Sequence, residues 1–253
     1  MPDPVGLTGI DHGFCINLDR RPDRWAAFRA RLPATLNGVV ERRPAVDGRD
    51  LSMTAEIRAL FAHNDFQFRR NILGCSLSHL GLWRLLAGRD YPYDRTAVFE
   101  DDAWFSSRFT TLWNERIAKH IPVDFDLIYL GGLLGPATIR EMDELMQKHD
   151  GHLFTAPELY LERRLNEALV MPKQSQFCTY SYVISRRGAE KLCQMVERDG
   201  FERSIDWFMI DRWPEMNVYA TDPLLCWSVF QEGSDILFDF DVLADTAKAD
   251  GDA

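Results

Sequence analysis

The chain has 253 residues and a formal net charge of −10, with an isoelectric point near 5.1. That balance argues against a general nucleic-acid binder and against a protein held to an anionic membrane by basic patches. With 46% hydrophobic and 12% aromatic residues, the composition is globular rather than disordered and allows a substantial core.

No apolar run approaches the roughly 18 residues of a membrane span, and Met1-Pro2-Asp3-Pro4 lacks the basic and apolar parts of a signal peptide. A cytoplasmic protein with no integral membrane segment is expected, and peripheral membrane contact stays open. The five cysteines are odd in number and widely spaced, without a CxxC pair, and read as reduced core residues.

Along the chain, apolar strand-like runs alternate with helical stretches. Gly13 to Leu18 reads as a first strand, and Pro22 fits the first turn of a helix whose Trp25, Phe28 and Leu32 fall at helical spacing. A short strand near Val39 to Arg43 runs into Pro44-Ala45-Val46-Asp47-Gly48, where Asp-Gly marks a turn. Leu77, Leu80, Leu82, Trp83 and Leu86 line one face of the next helix.

The run Thr96 to Phe99 then delivers Glu100, Asp101 and Asp102 together. Leu112, Trp113 and Ile117 mark another helix, and Asp126 to Leu130 a strand ending at Gly131-Gly132. Residues 133–173 read as an irregular insertion or acceptor-side loop with a short helix at Arg140 to Lys148. Phe177 to Ile184 reads as a strand, and Ser185 as the cap of a helix from Arg186 to Arg198. Residues 244–253 are polar and small and read as a frayed tail.

Such alternation predicts an α/β fold with a mainly parallel sheet covered on both faces, in one domain over residues 1–243. In such sheets ligands bind beyond the carboxyl ends of the strands, where Asn17, Glu100 to Asp102 and Gly131 fall.

Three carboxylates at the mouth of a core strand repel one another and lose solvent, so a shared cation would stabilise them. Hard oxygen ligands suit magnesium or manganese, which keep coordination positions open for phosphate oxygens. The plainer alternative is a solvated loop or helix N-terminus. His79, in an apolar helix, reads either as a buried histidine on a nearby acceptor or as a contact shaping the site beside Glu100.

Cys15-Ile16-Asn17-Leu18-Asp19-Arg20-Arg21-Pro22-Asp23-Arg24, Ala45 to Gly48, Gly74-Cys75-Ser76-Leu77-Ser78-His79, Val98 to Asp102 and Thr179 to Ala189 together resemble, in order, the motifs of glycosyltransferase family 25. The Asp126 to Gly131 strand and Ser204-Ile205-Asp206 also look like family positions. The resemblance implies a GT-A-like fold, a nucleotide-sugar donor, a glycan acceptor and inversion at the anomeric carbon. Lipooligosaccharide and procollagen galactosyltransferases are the activities it brings, with UDP-galactose as the expected donor.

On that resemblance, Asp102 with Glu100 would hold a manganese or magnesium ion that neutralises the leaving diphosphate. Asn17, Arg20, Arg24, Asp47, Gly48, Ser78, His79, Glu100 and Asp101 are the candidate donor-binding residues. Each arginine has a plainer reading as solvated helix-start charge. Inversion requires a base for the acceptor hydroxyl. Asp206, set among apolar residues, is the first candidate and Asp211 the second, although Asp206 also fits a helix N-cap.

The expected activity is therefore metal-dependent hexosyl transfer in cell-surface polysaccharide or lipooligosaccharide synthesis. A metal-dependent nucleotide-diphosphate phosphohydrolase and an inactive family member kept as a binding module are the alternatives.

Overall fold

The computed structural model describes residues 6–134, 161–172, 176–228 and 241–243. In chain order the strands are β1 (His12–Asn17), β2 (Val40–Pro44), β3 (Arg95–Glu100), β4 (Ala103–Phe105), β5 (Leu127–Tyr129) and β6 (Leu133–Leu134). They continue as β7 (Leu161–Arg164), β8 (Leu169–Pro172), β9 (Gln176–Phe177), β10 (Ser181–Ser185), β11 (Val218–Thr221) and β12 (Cys226–Ser228). The helices are α1 (Pro22–Arg31), α2 (Ala55–Leu60), α3 (Arg70–Ala87), α4 (Phe109–Leu112), α5 (Arg186–Asp199) and α6 (Ile205–Asp211).

Eight strands form one sheet in the order β2-β1-β3-β10-β5-β11-β8-β7. β1 pairs parallel with β2 and β3, and β5 pairs parallel with β11. β10 runs against both β3 and β5, and β8 runs against both β11 and β7. All strands but β10 and β8 therefore point one way, and the expected mainly parallel α/β sheet is observed.

Strand alternation distributes the core to both faces. Phe14, Ile16, Val98, Tyr129, Tyr182 and Ile184 pack with α3, α5 and α6 on one face. Their neighbours Cys15, Ala97, Phe99, Ile128 and Val183 pack with Phe28 of α1 and with Phe109 and Trp113 on the other. Pro22 occupies the first turn of α1, where a missing N–H removes no helix bond. The Ser185 side chain accepts from the Gly188 amide and caps α5, as expected.

Two expectations need correcting. The run Phe177 to Ile184 is not one strand: Phe177 pairs with Leu133 in a separate two-stranded ribbon, and Cys178 turns the chain at φ 72°. Strand pairing resumes only at Ser181, so Thr179 is delivered outside the ladder and Tyr180 meets β3 through its carbonyl, which accepts from the Glu100 amide at 2.9 Å. The stretch 133–173 is likewise not irregular throughout, because β7 and β8 extend the central sheet, with Leu169 and Val170 opposite Thr221 and Ala220. Buried Leu169 and Val170 are the apolar pair that anchors this edge. The helix expected at 140–148 and the tail at 244–253 lie outside the described residues.

The parallel register sets β1 and β3 side by side, with Ile16 opposite Glu100 and Asn17 opposite Pro44. Their carboxyl ends open together onto one cleft. Among the described residues no helix is long and apolar enough to cross a membrane.

Candidate active site

An open cleft lies beyond the ends of β1, β2 and β3. Its walls include Asn17, Arg20, Arg24, Asp47, Gly48, Ser78, His79 and Glu100 to Asp102. The structure thus gathers every donor-side and metal-side candidate of the sequence reading into one cavity. Asp206 and Asp211 do not line it.

Each member of the acidic triplet meets different partners. Asp101 accepts from Asn17 Nδ2 at 2.6 Å on one oxygen and pairs with Arg24 at 2.5 Å on the other, so it buckles β1 and α1 to the end of β3. Burial raises its pKa despite Arg24 and Asn17. Glu100 accepts from Thr179 Oγ1 at 2.6 Å, and His79 Nε2 stands 3.4 Å from the same oxygen. Burial works against its ionisation, but His79 and Thr179, helped by Arg24, hold its carboxyl below the usual range.

Asp102 is the strained member. Burial, reinforced by the charge of Glu100, pushes its pKa up to about 7, with Arg24 and Ser228 opposing. Arg24 reaches its Oδ2 at 3.4 Å, whereas Oδ1 is buried with no hydrogen bond of normal geometry. A buried orphan oxygen is the atom a hard cation would satisfy. The residues therefore fit a divalent ion, which Asp102 and Glu100 could hold. Asp101, engaged on both oxygens, is a buckle rather than a ligand.

Another part of the wall is a loop clamped onto α3. Ser78 Oγ donates to the Gly74 carbonyl at 2.6 Å and accepts from the Val46 amide at 2.8 Å. Arg70 donates to the carbonyls of Gly48 and Leu51. A Cβ on Gly48 would come within 2.0 Å of the Arg70 carbonyl, and one on Gly74 within 2.7 Å of the Val46 carbonyl. Close backbone approach, not a turn alone, explains both glycines. Asp47 caps the short turn Gly48–Asp50 through the Arg49 amide and pairs with Arg20 at 2.6 Å. Burial opposes its ionisation, and these two contacts more than offset it, lowering its pKa.

His79 is both things its sequence allowed. It is buried at 1% exposure, with Nδ1 2.9 Å from Tyr182 Oη, and its other nitrogen faces Glu100. Trp83 Nε1 donates to the same Tyr182 oxygen at 3.1 Å.

Asp206 sits in the first turn of α6, where its Oδ1 accepts from Ser204 Oγ at 2.6 Å and from the Trp207 amide at 2.9 Å. It does not line the cleft, although its charge adds to the burial and the Glu100 charge that raise the thiol pKa of Cys75, which does. Asp211, at the far end of α6, pairs with Arg203 at 3.3 Å, and Arg203 lies over the Trp207 ring at 3.6 Å.

Sequence reasoning missed several partners. Arg42 donates to Asn17 Oδ1 at 2.7 Å, and Arg31 to the Asp101 carbonyl at 3.0 Å. Thr179 and Tyr182 belong to the Thr179 to Ala189 motif, and only the fold shows that they touch Glu100 and His79. Cys75, four residues before His79, was readable from spacing alone as sharing its helix face.

A cleft beyond the carboxyl ends of parallel strands, lined by arginines and by carboxylates fit for a cation, is where an open α/β sheet binds its ligand. The sequence pattern of Glycosyltransferase family 25 (LPS biosynthesis protein) matches residues 10–209, and the chain belongs to that family. It is 29% identical over 206 residues to human procollagen galactosyltransferase 2, covering 76% of this chain and 29% of that one. It is 35% identical over 135 residues to the human inactive glycosyltransferase 25 family member 3, covering 49% of this chain and 22% of that one. The chain thus spans about 30% of the length of the first curated relatives it matches. Mouse xyloside xylosyltransferase 1 in its apo form superposes with a TM-score of 0.35 at 10% identity, over 81% of this chain and 83% of that one. That likeness is too slight to bear on the assignment.

Proposed function

We propose that this domain is a metal-dependent inverting glycosyltransferase that moves a hexose, galactose, from a UDP-sugar to a hydroxyl of a glycan acceptor. The observation that carries the reading is the orphan Oδ1 of Asp102 in a cleft that Arg20 and Arg24 also line. The galactosyl donor is supported by the procollagen galactosyltransferase relative. A role in building a cell-surface glycan is supported by the family's description as an LPS biosynthesis protein.

Asp102 and Glu100 would hold a manganese or magnesium ion, which when bound supplies charge neutralisation for the departing diphosphate. Arg20 and Arg24 turn toward the phosphates, each exchanging one carboxylate partner for another anion. Asn17 and Thr179 keep Asp101 and Glu100 in place, so the ligand set does not collapse when its charge changes. Asp206 takes the acceptor proton on Oδ2, because Oδ1 is engaged by Ser204 and Trp207.

Similarity to an inactive relative favours one second reading, a nucleotide-binding module without transfer. Calorimetric titration of UDP with manganese and with chelator, into the native domain and Asp102→Asn, tests the metal site. Equal affinity in all four experiments would overturn it. Product analysis with UDP-, GDP- and CMP-sugars and glycan acceptors then separates transfer from binding alone, and UDP release without glycoside formation would favour the phosphohydrolase.

A further inference from the structure

We infer that Cys75, His79 and Glu100 form a second cation site in the same cleft, one that takes a soft divalent ion of the zinc class. The ligand atoms of the three lie within 4.8 Å of one another, and all three residues line the cavity. Tetrahedral zinc with bonds of about 2.0–2.3 Å holds its ligands roughly 3.3–3.8 Å apart. Closing that gap takes a shift of about an ångström.

The site is carried by rigid elements. Cys75 and His79 stand four residues apart on one face of the 18-residue helix α3, and Glu100 ends β3. Its outer contacts are already built. Tyr182 Oη stands 2.9 Å from His79 Nδ1, which orients Nε2 toward Glu100, and Thr179 Oγ1 fixes the carboxylate at 2.6 Å. A histidine ligand ordinarily has its other ring nitrogen held in this way. The His79, Tyr182 and Thr179 contacts hold two of the ligands, and Cys75 supplies the third.

Donor chemistry distinguishes this site from the carboxylate site at Asp102. Thiolate and imidazole select zinc over magnesium or manganese. On binding, the Cys75 thiol proton passes to solvent, and the imidazole coordinates through Nε2 while its proton on Nδ1 is donated to Tyr182 Oη. Glu100 belongs to both sites. A soft ion therefore withdraws a ligand from the hard ion of the proposed transferase, a consequence that rests on the Proposed function reading.

The test titrates cobalt(II), as a visible stand-in for zinc, into the whole chain without nucleotide. A thiolate-to-cobalt charge-transfer band that zinc displaces is expected for the native protein and for Cys193→Ser, and its absence for Cys75→Ser. Zinc affinity of Cys75→Ser should fall by more than about tenfold. In the native protein, zinc should also shield Cys75, and not Cys193, from a thiol-alkylating reagent read by peptide mass, an arm that needs no variant to fold. Absence of the thiolate band, or equal alkylation of Cys75 with and without zinc, overturns the site. Manganese with UDP should weaken zinc binding. Unchanged zinc affinity there overturns the sharing of Glu100 while the thiolate band still establishes the soft site, so the two readings fail separately.

Discussion

Arg24 sets its guanidinium 2.5 Å from Asp101 and 3.4 Å from Asp102, so a single cation from α1 spans two carboxylates at the end of β3. With side chains only 11% and 9% exposed for Arg24 and Asp101, this is a buried pair, and removing one partner leaves an uncompensated charge. Arg24→Met is expected to lower unfolding free energy by about 3 kcal/mol, measured by denaturant titration at neutral pH. A change under about 0.5 kcal/mol, as for an ordinary surface site, would show that the pair is solvent-screened.

Asp102 should make stability fall as pH rises. Its folded pKa of about 7 lies above the unfolded value of about 3.9. The folded state therefore binds more protons between those values, and stability is lost as pH climbs through that window. Asp102→Asn should melt higher than the native protein at pH 8, with the gap narrowing toward pH 4, while UDP binding with manganese is lost. A gap that does not vary with pH would remove this account of Asp102.

Asp206 and Asp211 should separate cleanly. Asp206→Asn keeps an oxygen for Ser204 and Trp207 but loses the basic carboxylate, so transfer should fall by roughly 10²–10⁴-fold with donor affinity nearly kept. Asp211→Asn disturbs an exposed pair with Arg203 and is expected to leave the rate within about twofold, since such pairs contribute little. Assays of transfer and UDP affinity on both variants decide the matter. Normal turnover by a folded Asp206→Asn enzyme would assign the base elsewhere.

Gly74→Ala places a methyl 2.7 Å from the Val46 carbonyl and 2.9 Å from the Gly48 amide. The loop must shift off α3, and overpacking of this kind costs about 1–3 kcal/mol. Both a lower melting temperature and weaker UDP binding are expected. Loss of stability with full UDP affinity would mean that the loop does not shape the nucleotide side.

Much of this architecture was written locally. Alternation along Phe14-Cys15-Ile16 and Ala97-Val98-Phe99 sends neighbours to opposite faces, and period two is visible in any window of the chain. Pro22 and Ser185 announce their helices by chemistry confined to one turn. The end of β3 marks the site because three carboxylates follow an apolar run, whatever else the chain does.

Which carboxylate does what was decided only by tertiary structure. Glu100, Asp101 and Asp102 are adjacent and chemically alike, and their roles come from partners far away in sequence. Asn17 and Arg24 engage both oxygens of Asp101, and Thr179 and His79 claim Glu100. Asp102 is left with a share of Arg24 on one oxygen and a buried second oxygen with no hydrogen bond of normal geometry. The register of β1 against β3 and the left-handed turn at Cys178 bring those partners in. Neither leaves a trace in local periodicity, because register and long-range approach are properties of the packed sheet rather than of any segment within it.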